Sequence, residues 1–168
     1  MANTFELIAS ATVGAGGQAD ITFTAIPSTF TDLVIKLSAR NSDAGADQVW
    51  ISLNGSTTGF GNKLLYGNGS GSGQSTTINR YVANITTSGY TSNTFSNADI
   101  YIPNYAGSAN KSISGDTVNE NNASTAYAVL AATSWSNTAA ITSISLTPQS
   151  AGSFVQYSTA YLYGVKNA

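Results

Sequence analysis

Residues 23–40 read FTAIPSTFTDLVIKLSAR, two apolar stretches joined by a short polar turn around Pro27. In the second stretch an apolar residue recurs at every other position, at Leu33, Ile35, Leu37 and Ala39. Because successive side chains of a strand point to opposite faces, this period of two indicates a β-strand with one buried face. We therefore predict a strand that turns Lys36, Ser38 and Arg40 outward.

The same alternation recurs along the chain. Its apolar positions are Ile21, Phe23 and Ala25; Val49, Ile51 and Leu53; Ile100 and Ile102; and Ile144 and Leu146. The pair Asn54-Gly55 and the residues Pro103 and Pro148 follow three of these runs and are typical of turns and strand ends. This succession of short strands and Gly-, Asn- and Ser-rich turns predicts an all-β fold, an antiparallel, jelly-roll-like β-sandwich. We expect a single domain over residues 1–168, with residues 1–10 as an extended N-terminal arm or the first strand.

Two longer segments are apolar on both faces. They are AYAVLAATSW (Ala126–Trp135) and FVQYSTAYLYGV (Phe154–Val165), and their aromatic and β-branched residues favour central or interface strands. The second segment is predicted to present one tyrosine-rich face to another subunit. Together with two apolar residues of the amphipathic N-terminal segment, the predicted subunit interface comprises Phe5, Leu7, Tyr157, Tyr161 and Tyr163.

Composition excludes several classes of function. The 168 residues include no cysteine and no histidine, and only 8% are charged, with a formal net charge of −2. Without histidine there can be no His-based triad or His metal site, and too few cations are present to form a nucleic-acid-binding patch. No apolar run approaches the roughly 18 residues of a membrane-spanning helix. We expect no enzymatic activity, no cofactor or metal, and neither nucleic acid nor membrane as a partner.

Two stretches partly match ligand-binding motifs, but each lacks a required residue or the required spacing. The run GNGSGSG, residues 67–73, lacks the Lys-Ser/Thr that completes a phosphate-binding loop and is predicted to be a hairpin tip. Asp43 and Asp47 share one loop, and Asp116 and Glu120 flank another. Neither pair has the spacing of an EF-hand calcium loop, so neither predicts a calcium site.

The aromatic residues allow two interpretations. The chain has nine tyrosines, and Trp50 faces away from the apolar side of its strand, which carries Val49 and Ile51. These rings either line a second sheet or lie exposed, where they could stack on sugars or pack against a partner. For a glycan-binding pocket at the loop end, the candidates are Trp50, Tyr66 and Tyr90.

Four stretches, distributed along most of the length of the chain, carry a family resemblance. They are residues 5–40 (beginning FELIASATVGAGGQADITF), residues 64–73 (LLYGNGSGSG), residues 98–122 (ADIYIPNYAGSANKSISGDTVNENN) and residues 154–165 (FVQYSTAYLYGV). In these stretches the chain resembles small virion proteins of tailed phages, common in marine and cyanobacterial phages. No active-site motif comes with this resemblance.

The resemblance implies a structural role in a phage virion. The first expectation is a capsid decoration (cement) protein, a homotrimer that binds the major capsid protein and stabilises the assembled shell. The alternative is the receptor- or glycan-binding head of a tail or capsid fibre, with a host-surface glycan as its partner. Under both interpretations the protein is located on the virion.

Overall fold

The computed structural model describes residues 4–45, 48–77, 79–120, 126–149 and 152–166. Within these ranges the chain forms twelve β-strands and no helix. The first six strands are β1 (Phe5–Thr12), β2 (Ile21–Phe23), β3 (Asp32–Ala39), β4 (Gln48–Leu53), β5 (Phe60–Gly67) and β6 (Ser72–Thr77). The other six are β7 (Tyr81–Asn84), β8 (Ser96–Ile102), β9 (Lys111–Glu120), β10 (Ala126–Trp135), β11 (Ile144–Pro148) and β12 (Thr159–Val165).

The strands form two antiparallel sheets. The larger sheet has eight strands in the order β1-β12-β3-β8-β9-β10-β5-β6, and the smaller has four in the order β2-β11-β4-β7. Every pair of neighbouring strands runs antiparallel. The predicted all-β antiparallel sandwich is confirmed, while its jelly-roll-like form stays a prediction.

The core lies between the two inner faces. Strand β8 shows the pattern, because Ser96, Ala98, Ile100 and Ile102 are buried and Asn97, Asp99 and Tyr101 are exposed. The predicted inner face of β3 is likewise buried over Leu33, Ile35, Leu37 and Ala39. Complete burial of a Leu or Ile side chain contributes about 1.5–3 kcal/mol. The period-two alternation of the sequence therefore supplies the main stabilisation of the sandwich.

The turn predicted at Asn54-Gly55 connects the two sheets. Both residues have positive φ angles, 52° and 74°, and the Ser56 N–H donates to the Leu53 carbonyl at 2.9 Å. Positive φ at both central positions explains the choice of Asn and Gly. The turn leads from β4 in the smaller sheet towards β5 in the larger one.

One glycine allows the sheets to approach closely. A Cβ atom placed on Gly115 of β9 would lie 1.9 Å from the carbonyl oxygen of Val82 on β7. That distance is far inside van der Waals contact, so any side chain here would push β7 away from the larger sheet. Gly115 thus permits the smaller sheet to cover the inner face of β9.

The prediction of one strand over Phe154–Val165 is wrong in its first part. Strand β12 begins only at Thr159, and Phe154 makes an isolated bridge to Gln18. Between them Tyr157 adopts a φ of 72°, and its N–H donates to the Val13 carbonyl at 3.0 Å. This turn breaks the alternation, so Tyr157 does not share a face with Tyr161 and Tyr163.

Three other expectations concern single positions or segments. Ala25 is exposed with a φ of 53°, because β2 ends at Phe23 and the chain turns before Ile26. Arg40 is buried rather than outward, because the loop at residues 90–94 covers it. Of the two alternatives for the N-terminal segment, the structure has the first strand, which pairs with β12 of the same chain. Residues 1–3 of that segment lie outside the described residues.

Substitution of Gly115 tests the close approach of the sheets. Gly115→Ala should lower the free energy of unfolding by about 1–3 kcal/mol, because the added methyl group overlaps the Val82 carbonyl. Gly16→Ala is the matched control, since a Cβ at Gly16 meets nothing within 4 Å. Thermal or urea unfolding measures both variants. If Gly115→Ala unfolded with the same free energy as Gly16→Ala, the close contact between the sheets at Gly115 would be contradicted.

Candidate functional site

The outer face of the eight-stranded sheet carries most of the large exposed apolar side chains. At one end Leu65 of β5 lies directly opposite Leu130 of β10, and each side chain is 54% exposed. On the next strand Val118 lies opposite Ala128, and it too is exposed. Residues directly opposite in an antiparallel pair point to the same face, so these side chains form one continuous apolar surface.

The other end of the outer face holds four of the five predicted interface residues. Leu7 lies opposite Tyr163, and Phe5 opposite Val165 on the same face. Tyr161 is in register with Ser10 and Lys36. The structure thus brings Phe5, Leu7, Tyr161 and Tyr163 together. Tyr157, although 67% exposed, lies apart from them in the turn before β12.

The sequence analysis missed the exposed apolar residues at the β5–β10 end. These are Leu65, Val118 and Leu130, together with Tyr101 on the central strand β8. The signal for Leu130 was present, because Ala126–Trp135 is apolar on both faces. Its pairing with Leu65 and its position near Val118 depend on strand order, which local alternation does not determine.

Among the described side chains, the exposed charges of the outer face are two of each sign. They are Lys36, Lys63, Asp99 and Asp116. Lys36 and Asp99 form an ion pair at 2.5 Å. Asp116 lies directly opposite both Asp99 and Leu130, and within the described residues it forms no ion pair. Like charges directly opposite one another destabilise a sheet, so the fold itself gains nothing from this arrangement.

A second candidate site exists because the sheets differ in width. Strand β7, the edge of the smaller sheet, packs across β8, β9 and β10 and leaves the inner face of β5 partly uncovered. A cleft of about 250 Å³ opens there. We call it the tyrosine cleft, and it is lined by Gln48, Leu64, Tyr66, Asn68, Tyr81, Asn84, Tyr127 and Val129.

Of the three predicted glycan-contact residues, Tyr66 lines this cleft, while Trp50 and Tyr90 each contact a residue that lines it. Tyr66 lines it and lies over Gly73, where a Cβ atom would come within 2.6 Å of the tyrosine hydroxyl. Tyr90 stacks on Tyr127, with ring centroids 6.2 Å apart and planes 15° apart. Trp50 is half-buried at the other side, where its Nε1 donates to Gln48 Oε1 at 3.3 Å.

Two arginines support the aromatic residues around the cleft. The guanidinium of Arg40 donates to the carbonyls of Tyr90 (3.0 Å) and Thr91 (2.8 Å), and burial lowers its pKa. The guanidinium of Arg80 lies 4.7 Å from the centre of the Trp50 ring, and burial also lowers its pKa, opposed by the charge of Asp20. Arg40 therefore fixes the loop that carries Tyr90.

The remaining chemistry of the described residues is sparse. Within them no group of three His, Cys, Asp or Glu side chains could hold a metal ion. Asp43 accepts a hydrogen bond from Gly45 N–H at 2.7 Å, which makes it a turn residue, while Asp47 lies outside the described residues. The described part of the chain also contains no helical segment that could cross a bilayer.

No protein-family model, curated protein or solved structure matches the chain. The two surfaces are therefore interpreted from their geometry and composition.

Truncation of Arg40 tests how the Tyr90 loop is held. Arg40→Ala should lower the free energy of unfolding by about 2 kcal/mol or more, because it removes several hydrogen bonds that the charged guanidinium donates. Amide exchange should accelerate over residues 90–95. The control is Lys36→Ala on the same strand, whose exposed ion pair is worth about 0–1 kcal/mol. Unchanged exchange in the loop of Arg40→Ala would refute the role given to Arg40.

Proposed function

We propose that this chain is a structural protein of a phage virion, a capsid decoration (cement) protein that binds the assembled shell through protein–protein contacts. The observation that carries the proposal is the outer face of the eight-stranded sheet. Within the described residues no second layer covers this face, although it presents Leu65, Leu130, Val118 and Tyr101 to solvent. Extended apolar patches on soluble proteins mark interaction sites.

The composition of the outer face supports a protein partner. Interface cores are depleted of charge and enriched in aromatic residues, as this face is at Tyr101, Tyr161 and Tyr163. The exposed charges of its described side chains are few and of both signs, so this part of the face would not strongly repel a partner of either sign. The major capsid protein is the partner expected under this proposal, and a homotrimer the expected assembly.

The charge arrangement gives the proposed contact its specificity. Asp116 faces the carboxylate of Asp99 and adjoins the apolar pair of Leu130 and Leu65. A cation from the partner would neutralise this unfavourable pair and be desolvated beside the two leucines. Complementary charges of this kind select the correct partner more than they raise affinity.

The proposed mechanism requires no chemical step. Many copies bind across the junctions of the shell, and mass action then stabilises the assembled state relative to its separate parts. The driving force is burial of apolar surface, about 25 cal/mol per Å² before the costs of association are subtracted. Such a protein acts without enzymatic activity and without a cofactor.

The second candidate function is the receptor- or glycan-binding head of a tail or capsid fibre. The observation that favours it is the tyrosine cleft. Leu65 and Tyr66 are neighbours on β5 but lie on opposite faces of the sheet. The two candidate functions therefore use different surfaces, and single substitutions can separate them.

A charge on the outer face tests the cement proposal. Leu65→Lys should reduce the number of copies bound per shell roughly tenfold under subsaturating conditions, because it replaces apolar contact surface by an ammonium that must be desolvated and that occupies the space beside Asp116. Thr22→Lys is the matched control, since Thr22 is an exposed strand residue of the smaller sheet. The measurement adds each purified variant to shells stripped of the protein and counts bound copies.

Each result of the shell-binding experiment has a definite meaning. Both variants should retain the stability of the parent, since surface substitutions usually change it by less than about 0.5 kcal/mol. Loss of binding for Leu65→Lys alone would support the outer face as the contact. Equal binding of Leu65→Lys and the parent would exclude this face, and failure of the parent to bind any shell would exclude the proposal.

A further inference from the structure

We propose that the tyrosine cleft binds a neutral sugar ring, the exposed terminal hexose of an uncharged glycan. The inference deepens the glycan-binding candidate and rests on it, while it is independent of the cement proposal. It is carried by four properties of the cleft: its shape, its free amide donors, an unpaired buried amide beside it, and its lack of charge.

The shape of the cleft suits a single ring. Its volume of about 250 Å³ lies below the roughly 300–1,000 Å³ of pockets for drug-sized ligands. Tyr66 and Tyr127 offer ring surfaces from the neighbouring strands β5 and β10, and Tyr66 is 39% exposed. A tyrosine combines an apolar ring with a polar hydroxyl, as contact with the C–H face and the hydroxyls of a sugar requires.

The Tyr66 and Tyr127 rings each pack against a neighbouring residue before any ligand binds. Gly73 lies directly opposite Tyr66, and its lack of a side chain leaves room for the tyrosine ring. Tyr127 is stacked on Tyr90, whose carbonyl is held by Arg40. Preorganised contacts reduce the entropy lost on binding. These supports hold the aromatic surfaces in place.

The cleft also offers hydrogen-bonding groups. Gln48 accepts from Trp50, and the Asn68 side-chain oxygen accepts from Ser70 and Gly71 within its own turn. Within the described part of the chain, the side-chain NH₂ groups of Gln48 and Asn68 have no acceptor. An amide NH₂ group carries two donors, and sugar hydroxyls are suitable acceptors.

A buried side chain beside the cleft gives an independent indication. Asn119 of β9 lies directly opposite Tyr127 and is only 1% exposed, yet within the described residues its Nδ2 and Oδ1 atoms have no hydrogen-bond partner. Buried polar groups are nearly always paired, so an unpaired amide requires an explanation. Asn119 does not itself line the cleft, so a bound sugar would reach this amide through a bridging water molecule next to the ring stack.

Charge selects the class of glycan. None of the described residues that line the cleft is charged. The nearby guanidinium of Arg80 is already directed at Trp50 and donates to Ser52 Oγ at 2.7 Å. A sialylated or sulfated sugar would need a cation among the lining residues to offset its desolvation. The cleft therefore suits uncharged rings.

A glycan array followed by variant analysis tests the inference. The probes are multivalent glycans with terminal galactose, glucose, fucose or N-acetylhexosamine, alongside sialylated and sulfated forms. The parent should bind a subset of the neutral probes. Tyr66→Ala should weaken this binding at least tenfold. Tyr161→Ala should leave it unchanged, because Tyr161 is equally exposed (38%) but lies on the outer face.

Asn119→Leu provides a second test with opposite effects on stability and binding. Replacement of an unpaired buried amide by an apolar group of similar size should raise the melting temperature by about 2–4 °C. The same change should weaken sugar binding, since it removes the amide that the ligand completes. A purely structural Asn119 would instead give a destabilised variant with unaltered sugar binding, which would remove this part of the inference.

The remaining outcomes separate this inference from the two candidate functions. Binding to charged probes alone, with loss in Tyr66→Ala, would keep a glycan function but overturn the neutral class. Absence of binding to every probe, or binding that Tyr66→Ala leaves intact, would overturn the cleft as a sugar site. If Tyr66 became inaccessible to solvent when the protein bound the shell, the cleft would be assigned to a protein contact instead. In every case Leu65→Lys reports on the shell contact separately.

Discussion

Packing of the four-stranded sheet on the inner face of the eight-stranded sheet is the constraint on which the rest of the structure depends. The approach is close at Gly115, where β7 passes directly over β9. Because four strands cannot cover eight, the inner face of β5 stays partly open and forms the tyrosine cleft. The outer face of the larger sheet has no covering layer within the described residues. The cleft therefore follows from the mismatch in sheet width, and the exposed outer face follows from the two-layer architecture.

Much of the fold could be predicted from local alternation. The period of two identified the buried faces of β3, β8 and β11, and the Asn54-Gly55 pair identified a turn with positive φ. The errors occurred where long-range contacts override the local pattern. Tyr157 takes a φ of 72° because its N–H bonds to Val13, and Arg40 is buried because a distant loop supplies carbonyl acceptors. In both cases the contacting residue is far away in the sequence, so the local pattern around Tyr157 or Arg40 does not reveal it.

The candidate sites were predicted less completely than the fold. Trp50, Tyr66 and Tyr90 were chosen as exposed aromatic residues; Tyr66 lines the cleft, and the other two contact residues that line it. Asn119 could not be chosen in this way, because it lies on β9, far in sequence from these rings, and Asn68 belongs to a run that the sequence indicated only as a hairpin tip. Leu65 and Leu130 were missed for the same reason, since only the strand order β10-β5 makes them neighbours.

Cryo-EM of phage particles in which mass spectrometry detects this chain tests the central claim most directly. The account predicts density for the protein distributed over the icosahedral shell, with the outer face of the eight-stranded sheet turned towards a neighbouring protein and the tyrosine cleft open to solvent. Density confined to the tail or to fibre tips would contradict the cement proposal. An outer face exposed to solvent at every position on the particle would contradict its assignment as the contact surface.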